Sequence, residues 1–250
     1  MILETVVIIP ARYGSRRFPG KPLVPIAQKP LIQWVYERAT RIRGVHSIIV
    51  ATDHPDIQEA VQQVGGMALM TPDHLRNGSE RVAWVARQLD AEIVINLQGD
   101  EPLVDTDAIA RAVEWLRFHP EESLATLACP LRHEAEWKDP NVVKVLTDER
   151  DNAVYFSRSP IPFFREGGFR PLECLKRHIG VYVFRRTLLL AYAQWPPGKL
   201  EEIEKLEQLR IVERGVPIKV IPAAYCSPGI DTPEDVMTME KILKAEGITE

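Results

Sequence analysis

At 250 residues the chain is long enough for one large α/β domain with a substantial core, and its composition is that of an ordinary globular protein. A net charge of −4, with no block of consecutive basic residues, excludes general nucleic-acid binding, so any anion site must be local. No apolar run reaches membrane-spanning length, and the amino terminus enters the first strand without a basic n-region, so neither membrane insertion nor a signal peptide is expected. Cys129, Cys174 and Cys226 are odd in number, scattered and without CxxC spacing. They read as reduced thiols of a cytoplasmic protein and not as a disulfide or zinc framework.

The first element is Val6 to Ile9, four apolar residues, all β-branched, the pattern of a strand buried on both faces. It opens into a loop carrying Arg12, Arg16, Arg17 and Lys21, with Gly14 and Gly20 among them and prolines at 10, 19 and 22. Glycine allows close backbone approach to an anion, and the basic side chains neutralise it, so the loop reads as a polyphosphate site at the carboxyl end of a parallel strand. A solvated charged loop is the plainer alternative. The loop is not GxGxxG. It misses GxxxxGK[ST] because five residues separate Gly14 from Gly20, and Pro22 stands where a magnesium-binding hydroxyl would be. Any metal must therefore be held elsewhere.

Helix-like and strand-like stretches then alternate. Pro30 to Ile42 has helical spacing, and Ser47 to Ala51 is a buried strand. Ile57, Ala60, Val61 and Val64 mark a helix stopped by Gly65-Gly66, and Met67 to Met70 is a short strand. A helix through Val82 and Leu89, a strand at Ile93 to Leu97 and a helix through Ile109 and Leu116 follow. This alternation predicts an α/β fold with a mostly parallel sheet and helices on both faces. Strands are expected at 124–129, 142–146, 178–184 and 217–221, and helices at 187–194, 200–214 and from about 233. Residues 148–177 break the pattern: SRSPIPFFREGGFRPLE has clustered prolines, three phenylalanines and Gly167-Gly168. Exposed aromatics are costly in a monomer, so this segment is expected to protrude from a single domain and pack against a second subunit. A loop folded back on its own core is the alternative.

Several side chains carry chemistry. Gln98-Gly99-Asp100-Glu101-Pro102 directly follows a buried strand, where α/β folds bind ligands, and Asp100 suits Mg²⁺. Asp231 is the second carboxylate. Thr232, Pro233 and Asp235 already make a helix start without it, as N-cap, N1 and N3. Turn chemistry is the plainer alternative for either aspartate. Ser79 suits the N-cap of the helix running to Leu89, and Arg76 or Arg81 adds charge there. His178, Gly180 and Tyr182 alternate onto one strand face, and the glycine between leaves room for a polar ligand. Glu207 falls at the edge of the apolar stripe Ile203, Leu206, Leu209 and Val212, where a carboxylate needs a partner or ligand. Gln208 points elsewhere on that wheel, so both reach one ligand only at a helix end or cleft.

The segments VVIIPARYGSRRFPGKPL, VATDHPDI, NGSERVA, VINLQGDEP, NVVKV, YFSRSPIPF, KRHIGVYVFRR, LEQLR and GIDTPEDV occur together, in order, over nearly the whole chain. This combination closely resembles the 3-deoxy-manno-octulosonate (Kdo) cytidylyltransferase family. The resemblance implies a three-layer α/β/α Rossmann-like nucleotidyltransferase fold with a mixed, mostly parallel sheet. It also implies a homodimer that makes CMP-Kdo and pyrophosphate from CTP and Kdo, for lipopolysaccharide assembly. The family's triphosphate-binding positions fall on Arg12, Ser15, Arg17 and Lys21, with Arg81 and Gln98 nearby. Its metal-binding aspartates fall on Asp100 and Asp231, with Mg²⁺ as cofactor. Its sugar-binding positions fall on Gln98, Arg158, His178, Tyr182, Glu207 and Gln208. The implied chemistry is in-line displacement at the α-phosphorus, with Arg17 and Lys21 stabilising the leaving pyrophosphate. Cytidylyltransferases for 8-amino-Kdo or a sialic acid are the rival readings, and a non-catalytic nucleotide sensor is a more distant one. RHIGVY and LEQLR fit the Kdo family better than the sialic acid enzymes.

Overall fold

In the computed structural model, which describes residues 4–14 and 18–248, the apolar run Val6 to Ile9 lies inside strand β1 (Thr5–Ala11), all of it buried. Ser15 and Arg17 lie outside the described residues. A two-strand hairpin, β2 (Pro25–Ile26) and β3 (Lys29–Pro30), leads into α1 (Leu31–Ala39). The chain continues through β4 (Ser47–Thr52), α2 (Pro55–Gln62), β5 (Met67–Met70), α3 (Gly78–Ala86) and β6 (Ile93–Leu97). The larger strands are parallel, in the order β5–β4–β1–β6. Helices α1, α2 and α3 pack against them. With a parallel neighbour on each edge and helices packed against it, β1 has no polar side, so its sequence shows no alternation. The expected α/β fold is thus present.

These elements, with the segment from Ser227 onward, form one compact unit, and Asp107–Cys226 form another. In the first, the chain runs outward from β1 to β4 and β5 and then returns to pair β6 on the other edge of β1. The carboxyl ends of β1 and β6 therefore lie side by side at a switch in strand order, where open α/β sheets hold ligands.

The second unit contains most of α4 (Thr106–Phe118), then β7 (Leu124–Pro130), α5 (Glu134–Lys138), β8 (Lys144–Thr147), β9 (Ala153–Ser157) and β10 (Leu175–Arg185). It ends with α6 (Arg186–Tyr192), α7 (Lys199–Glu204), α8 (Leu209–Val212) and β11 (Lys219–Pro222). Strand β10 runs antiparallel to both β7 and β8, β9 is antiparallel to β8, and β11 is parallel to β7. The pairing of β10 with β7 slips between Ile179 and Tyr182, a bulge.

Three local expectations change. Residues 148–177 contain β9 and the start of β10. Phe164 and Phe169 pack around Trp137, whose indole N–H donates to the Ile161 carbonyl, while Phe163 stays 87% exposed. Much of the segment thus folds back on its own unit. The helix expected over 200–214 is two helices, broken at Lys205 in the left-handed region (φ 55°). The buried Arg210 guanidinium holds α7 and α8 together through a two-pronged pair with Glu201, both contacts 2.6 Å. Ile203 consequently sits 76% exposed, outside any apolar stripe.

The third change concerns cysteine. Cys129 and Cys226 form a disulfide with their Cα atoms 5.7 Å apart, and Cys174 is free and exposed. The reading of three reduced thiols is therefore corrected. Parallel pairing of β11 beside β7 brings together two residues 97 apart in sequence, which spacing alone cannot reveal. Thiol titration of the unfolded, unreduced protein is expected to find one reactive cysteine, rising to three after reduction. Replacing both paired cysteines by serine is expected to cost about 2–4 kcal/mol of unfolding free energy, read from denaturant titration. Three reactive thiols before reduction would disprove the link.

Candidate active site

In the first unit the cationic loop leaves β1 and turns back on itself where the Gly20 N–H donates to the Tyr13 carbonyl at 3.0 Å. Gly20 has φ +70°, which a side chain would strain. The next residue, Lys21, starts a single 3₁₀ turn with Pro22 behind it. Its ammonium meets Asp100 Oδ2 at 2.6 Å, the Ile230 carbonyl at 2.9 Å and Asp231 Oδ1 at 3.3 Å. Asp100 arrives from the turn after β6. Asp231 arrives just before the last helix, Pro233–Ala245. The capping residues act as expected: the Asp235 carboxylate accepts from the backbone N–H of both Asp231 (2.9 Å) and Thr232 (2.8 Å). The Asp231 carboxylate is thereby left to the cluster.

Burial alone would depress the Lys21 ammonium, but the charges and hydrogen bonds of Asp100 and Asp231 outweigh it and raise its pKa above the usual value. Two carboxylates and a carbonyl converge on one cation, a donor set that also suits Mg²⁺. That ion takes one or two carboxylates and fills its remaining positions with water and phosphate oxygens. Among the described residues no group of three or more His, Cys, Asp or Glu forms a fuller metal cluster.

The other residues expected at the nucleotide differ in setting. Arg12 is exposed at the loop's start. Arg81 is buried, pairing with Asp53 at 2.8 Å and donating to the Thr71 hydroxyl. Burial lowers the Arg81 pKa and Asp53 opposes the shift. The same Asp53 accepts from the Tyr13 backbone N–H at 3.0 Å, so Arg81 braces the loop through it. Gln98 donates to Asn96 Oδ1 (3.1 Å), and Asn96 donates to the Ser79 hydroxyl (2.9 Å). The helix cap expected at Ser79 is provided by Asn77, whose side chain accepts from the Glu80 N–H. Asn77 has the extended backbone an N-cap needs, whereas Ser79 is already inside the helix. A Cβ on Gly78 would lie 3.1 Å from Gln98 Oε1 and 3.3 Å from Pro10 Cγ, so a side chain there would have to push the Gln98 amide and the Pro10 ring aside by a few tenths of an ångström.

The second unit gathers most of the sugar candidates. The His178 and Tyr182 rings are 5.6 Å apart on β10. The Tyr182 hydroxyl donates to Gln208 Oε1 at 3.0 Å. Gln208 is the N-cap of α8, so the break in the helix supplies the helix end that lets it and the preceding Glu207 share a site. Burial raises the Tyr182 pKa well above its usual value, with the Glu207 charge adding to it. Burial pushes His178 down to about 3, so its imidazole is neutral. That residue therefore favours the fold at pH above about 6.5 and opposes it increasingly as the pH falls towards 3. Gln208 Nε2 is buried with no hydrogen-bond partner, an open donor beside the Tyr182 hydroxyl that its Oε1 accepts from.

Arg158 follows β9. Its Nε donates to the Glu204 carbonyl at 3.0 Å and its Nη1 to the Pro140 carbonyl at 3.0 Å. Two residues beneath this arrangement escaped the sequence reading. Glu204 binds the Ser157 hydroxyl (2.6 Å) and the Arg158 N–H (2.9 Å). Lys144, fully buried, gives its three protons to the carbonyls of Asp139, Val142 and Arg158 at 2.8, 2.6 and 2.5 Å. The signal for Lys144 was present: a lone lysine between valines in a strand has to find partners if that position is buried.

Residues 6–220 match the model of the cytidylyltransferase family. The chain is 46% identical over 248 residues to an 8-amino-3,8-dideoxy-manno-octulosonate cytidylyltransferase of Shewanella halifaxensis, covering 98% of this chain and all of that one. It is 45% identical over 251 residues to a 3-deoxy-manno-octulosonate cytidylyltransferase of Trichlorobacter lovleyi, covering 97% and 99%. Among solved structures, a CMP:2-keto-3-deoxy-manno-octonic acid synthetase complexed with CTP superposes with a TM-score of 0.91 at 42% identity, covering 97% and 99%. A cytidylyltransferase of Leptospira borgpetersenii, 16% identical with a TM-score of 0.64 and covering 97% of this chain and 87% of that one, shares the fold. The chain belongs to the cytidylyltransferase family of nucleotidyltransferase enzymes.

Proposed function

We propose that this enzyme transfers CMP from CTP to the anomeric hydroxyl of Kdo, releasing pyrophosphate and activating the sugar for lipopolysaccharide assembly. The observation that carries the reading is the meeting of Asp100 and Asp231 on the Lys21 ammonium, beside a cationic loop, in a chain whose near full-length relatives bear that activity in their names. The anomeric oxygen attacks the α-phosphorus in line, and the bond from that phosphorus to the β-phosphate oxygen breaks. Arg12, Arg17 and Lys21 neutralise the triphosphate and the Ser15 hydroxyl donates to it, with Gln98 at its edge and Arg81 holding the loop through Asp53. Lys21 joins the two aspartates before the nucleotide arrives and then serves the anionic leaving group. Asp100 and Asp231 would hold Mg²⁺, which supplies charge neutralisation for the phosphates and activation of the attacking hydroxyl. Arg158 takes the sugar carboxylate, the planar anion its guanidinium suits. His178, Tyr182, Glu207 and Gln208 bind the sugar hydroxyls, a role supported by the unpartnered Gln208 amide.

8-Amino-Kdo is the second substrate to test, because relatives named for it are as similar as those named for Kdo. Pyrophosphate release is the direct assay, with CTP, magnesium and Kdo, 8-amino-Kdo or N-acetylneuraminate in parallel. Release with Kdo, abolished by EDTA, is the expected result. Release with 8-amino-Kdo alone would overturn the substrate, and no release with any sugar would overturn the transferase reading. Asp100→Asn and Asp231→Asn are each expected to lower kcat at least about 100-fold with the fold retained by circular dichroism. Near-normal turnover would remove these residues from the metal site.

A cytoplasmic location and a homodimer complete this reading. No helix among the described residues is long and apolar enough to cross a membrane. Phe163 is 87% exposed and Val154 57%, which supports the 148–177 segment as the subunit contact. Sedimentation equilibrium is expected to show a dimer that Phe163→Asp weakens; a monomeric native protein would refute it.

A further inference from the structure

Thr126 is fully buried on β7, opposite Tyr182 where β10 bulges. Its hydroxyl oxygen is 2.7 Å from the Val181 carbonyl, 2.9 Å from His178 Nε2 and 3.5 Å from the Ile179 carbonyl. A hydroxyl has one hydrogen, and a carbonyl oxygen can only accept. At 2.7 Å the hydrogen belongs to Val181. The hydroxyl lone pairs then face His178 Nε2, which must carry a hydrogen to complete the contact. The opposite arrangement would set two oxygen lone pairs against each other at 2.7 Å.

The ring is neutral, so with hydrogen on Nε2 the lone pair is on Nδ1. The one side-chain hydrogen bond that His178 makes among the described residues is the contact with Thr126. Packing against Phe156 (ring centroids 4.9 Å) and Tyr182 (5.6 Å) restrains the imidazole. Nδ1 is an acceptor held in place and awaiting a donor.

We propose that Thr126 is a positioning residue that locks His178 in the Nε2–H tautomer, so that Nδ1 accepts a hydrogen bond from a hydroxyl of the sugar acid. This rests on the reading of His178 as a sugar contact. It assigns His178 the opposite role from an anion binder: a lone pair on Nδ1 repels a carboxylate, so the sugar's acid group is left to Arg158. Recognition through this histidine selects for a hydroxyl in a fixed position and is insensitive to pH across the neutral range.

The test pairs a spectroscopic with a kinetic measurement. Long-range ¹H–¹⁵N spectra of histidine-labelled enzyme, with His178 assigned from a His178→Gln variant, are expected to show protonated Nε2 and bare Nδ1. Adding Kdo is expected to shift Nδ1. Thr126→Val keeps the side chain's shape and removes the hydroxyl. It is expected to give mixed tautomers and a KM for the sugar raised about tenfold, with the KM for CTP within about twofold. Thr126→Ser restores the hydroxyl and is expected to recover both. Protonated Nδ1 in the native enzyme would overturn the proposal. So would an Nδ1 resonance indifferent to every sugar acid, or a Thr126→Val enzyme with unchanged tautomer and KM. Absence of turnover with any sugar defeats the transferase reading separately, because the tautomer and the Nδ1 shift are read without turnover. Should Thr126→Val fail to fold, the native spectrum and Thr126→Ser still decide.

Discussion

The Lys21 ammonium between Asp100 and Asp231 is the contact on which the first unit depends. The three residues are 79 and 210 positions apart, counted from Lys21, so only the finished fold brings them together. Two carboxylates brought to one place repel each other unless a cation lies between them. The upward pull on the Lys21 pKa is the same interaction seen from the lysine. The surrounding features serve that meeting. Full burial of β1 fixes where the loop leaves the sheet, Gly20 turns the chain so that Lys21 points inward, and Asp235 takes over the capping of the last helix. Such charges, aligned before any ligand binds, are the arrangement that accelerates phosphoryl chemistry, because little reorganisation is left for the reaction.

The second unit solves a different problem with different means. Its cluster relies on burial and neutral hydrogen bonds: His178 is kept uncharged, Tyr182 keeps its proton, and Gln208 offers an amide. A triphosphate needs charge opposed to charge, whereas a polyhydroxylated sugar needs donors and acceptors at fixed points. The backbone beneath the cluster is fixed by two buried or half-buried charged groups. Lys144 ties the loop before β8 to the backbone of Arg158, and Glu204 ties the same backbone to the end of α7. A buried ammonium is costly unless every proton has an acceptor. Three carbonyls meet that demand, so Lys144 draws two stretches of chain, residues 139–142 and Arg158, to one point.

Much of this was legible in the residues, and what was not has physical reasons. Val6 to Ile9 and Ile93 to Leu97 declare themselves because a strand buried on both faces tolerates nothing polar. Once both are strands of one parallel sheet, their carboxyl ends are where Arg12 and Asp100 must emerge. Thr232, Pro233 and Asp235 make a local grammar that needs no tertiary knowledge. Strand β9 was hidden because AVYFS is short and half-exposed, and it sits against a proline-rich stretch. The break at Lys205 was hidden because helical periodicity continues across it; the Arg210–Glu201 pair that favours two helices is a contact no wheel displays. The Cys129–Cys226 link and the Thr126–His178 contact depend on which strands become neighbours. The pairing of Arg81 with Asp53 and Thr71 likewise depends on tertiary neighbours that an arginine at a helix start does not announce.

The similarity to enzymes named for two different sugars has a simple chemical basis. Kdo and 8-amino-Kdo differ at one position, a hydroxyl in one and an amino group in the other. At neutral pH the amino group is protonated and can only donate, while a hydroxyl both donates and accepts. An acceptor such as His178 Nδ1 or the Glu207 carboxylate takes either sugar. A donor such as the Gln208 amide accommodates the hydroxyl and rejects the ammonium. Discrimination therefore turns on which kind of group meets that one substituent, and a single side chain is enough to reverse it. Overall identity, dominated by the sheet and the phosphate machinery that both activities share, carries almost none of that information.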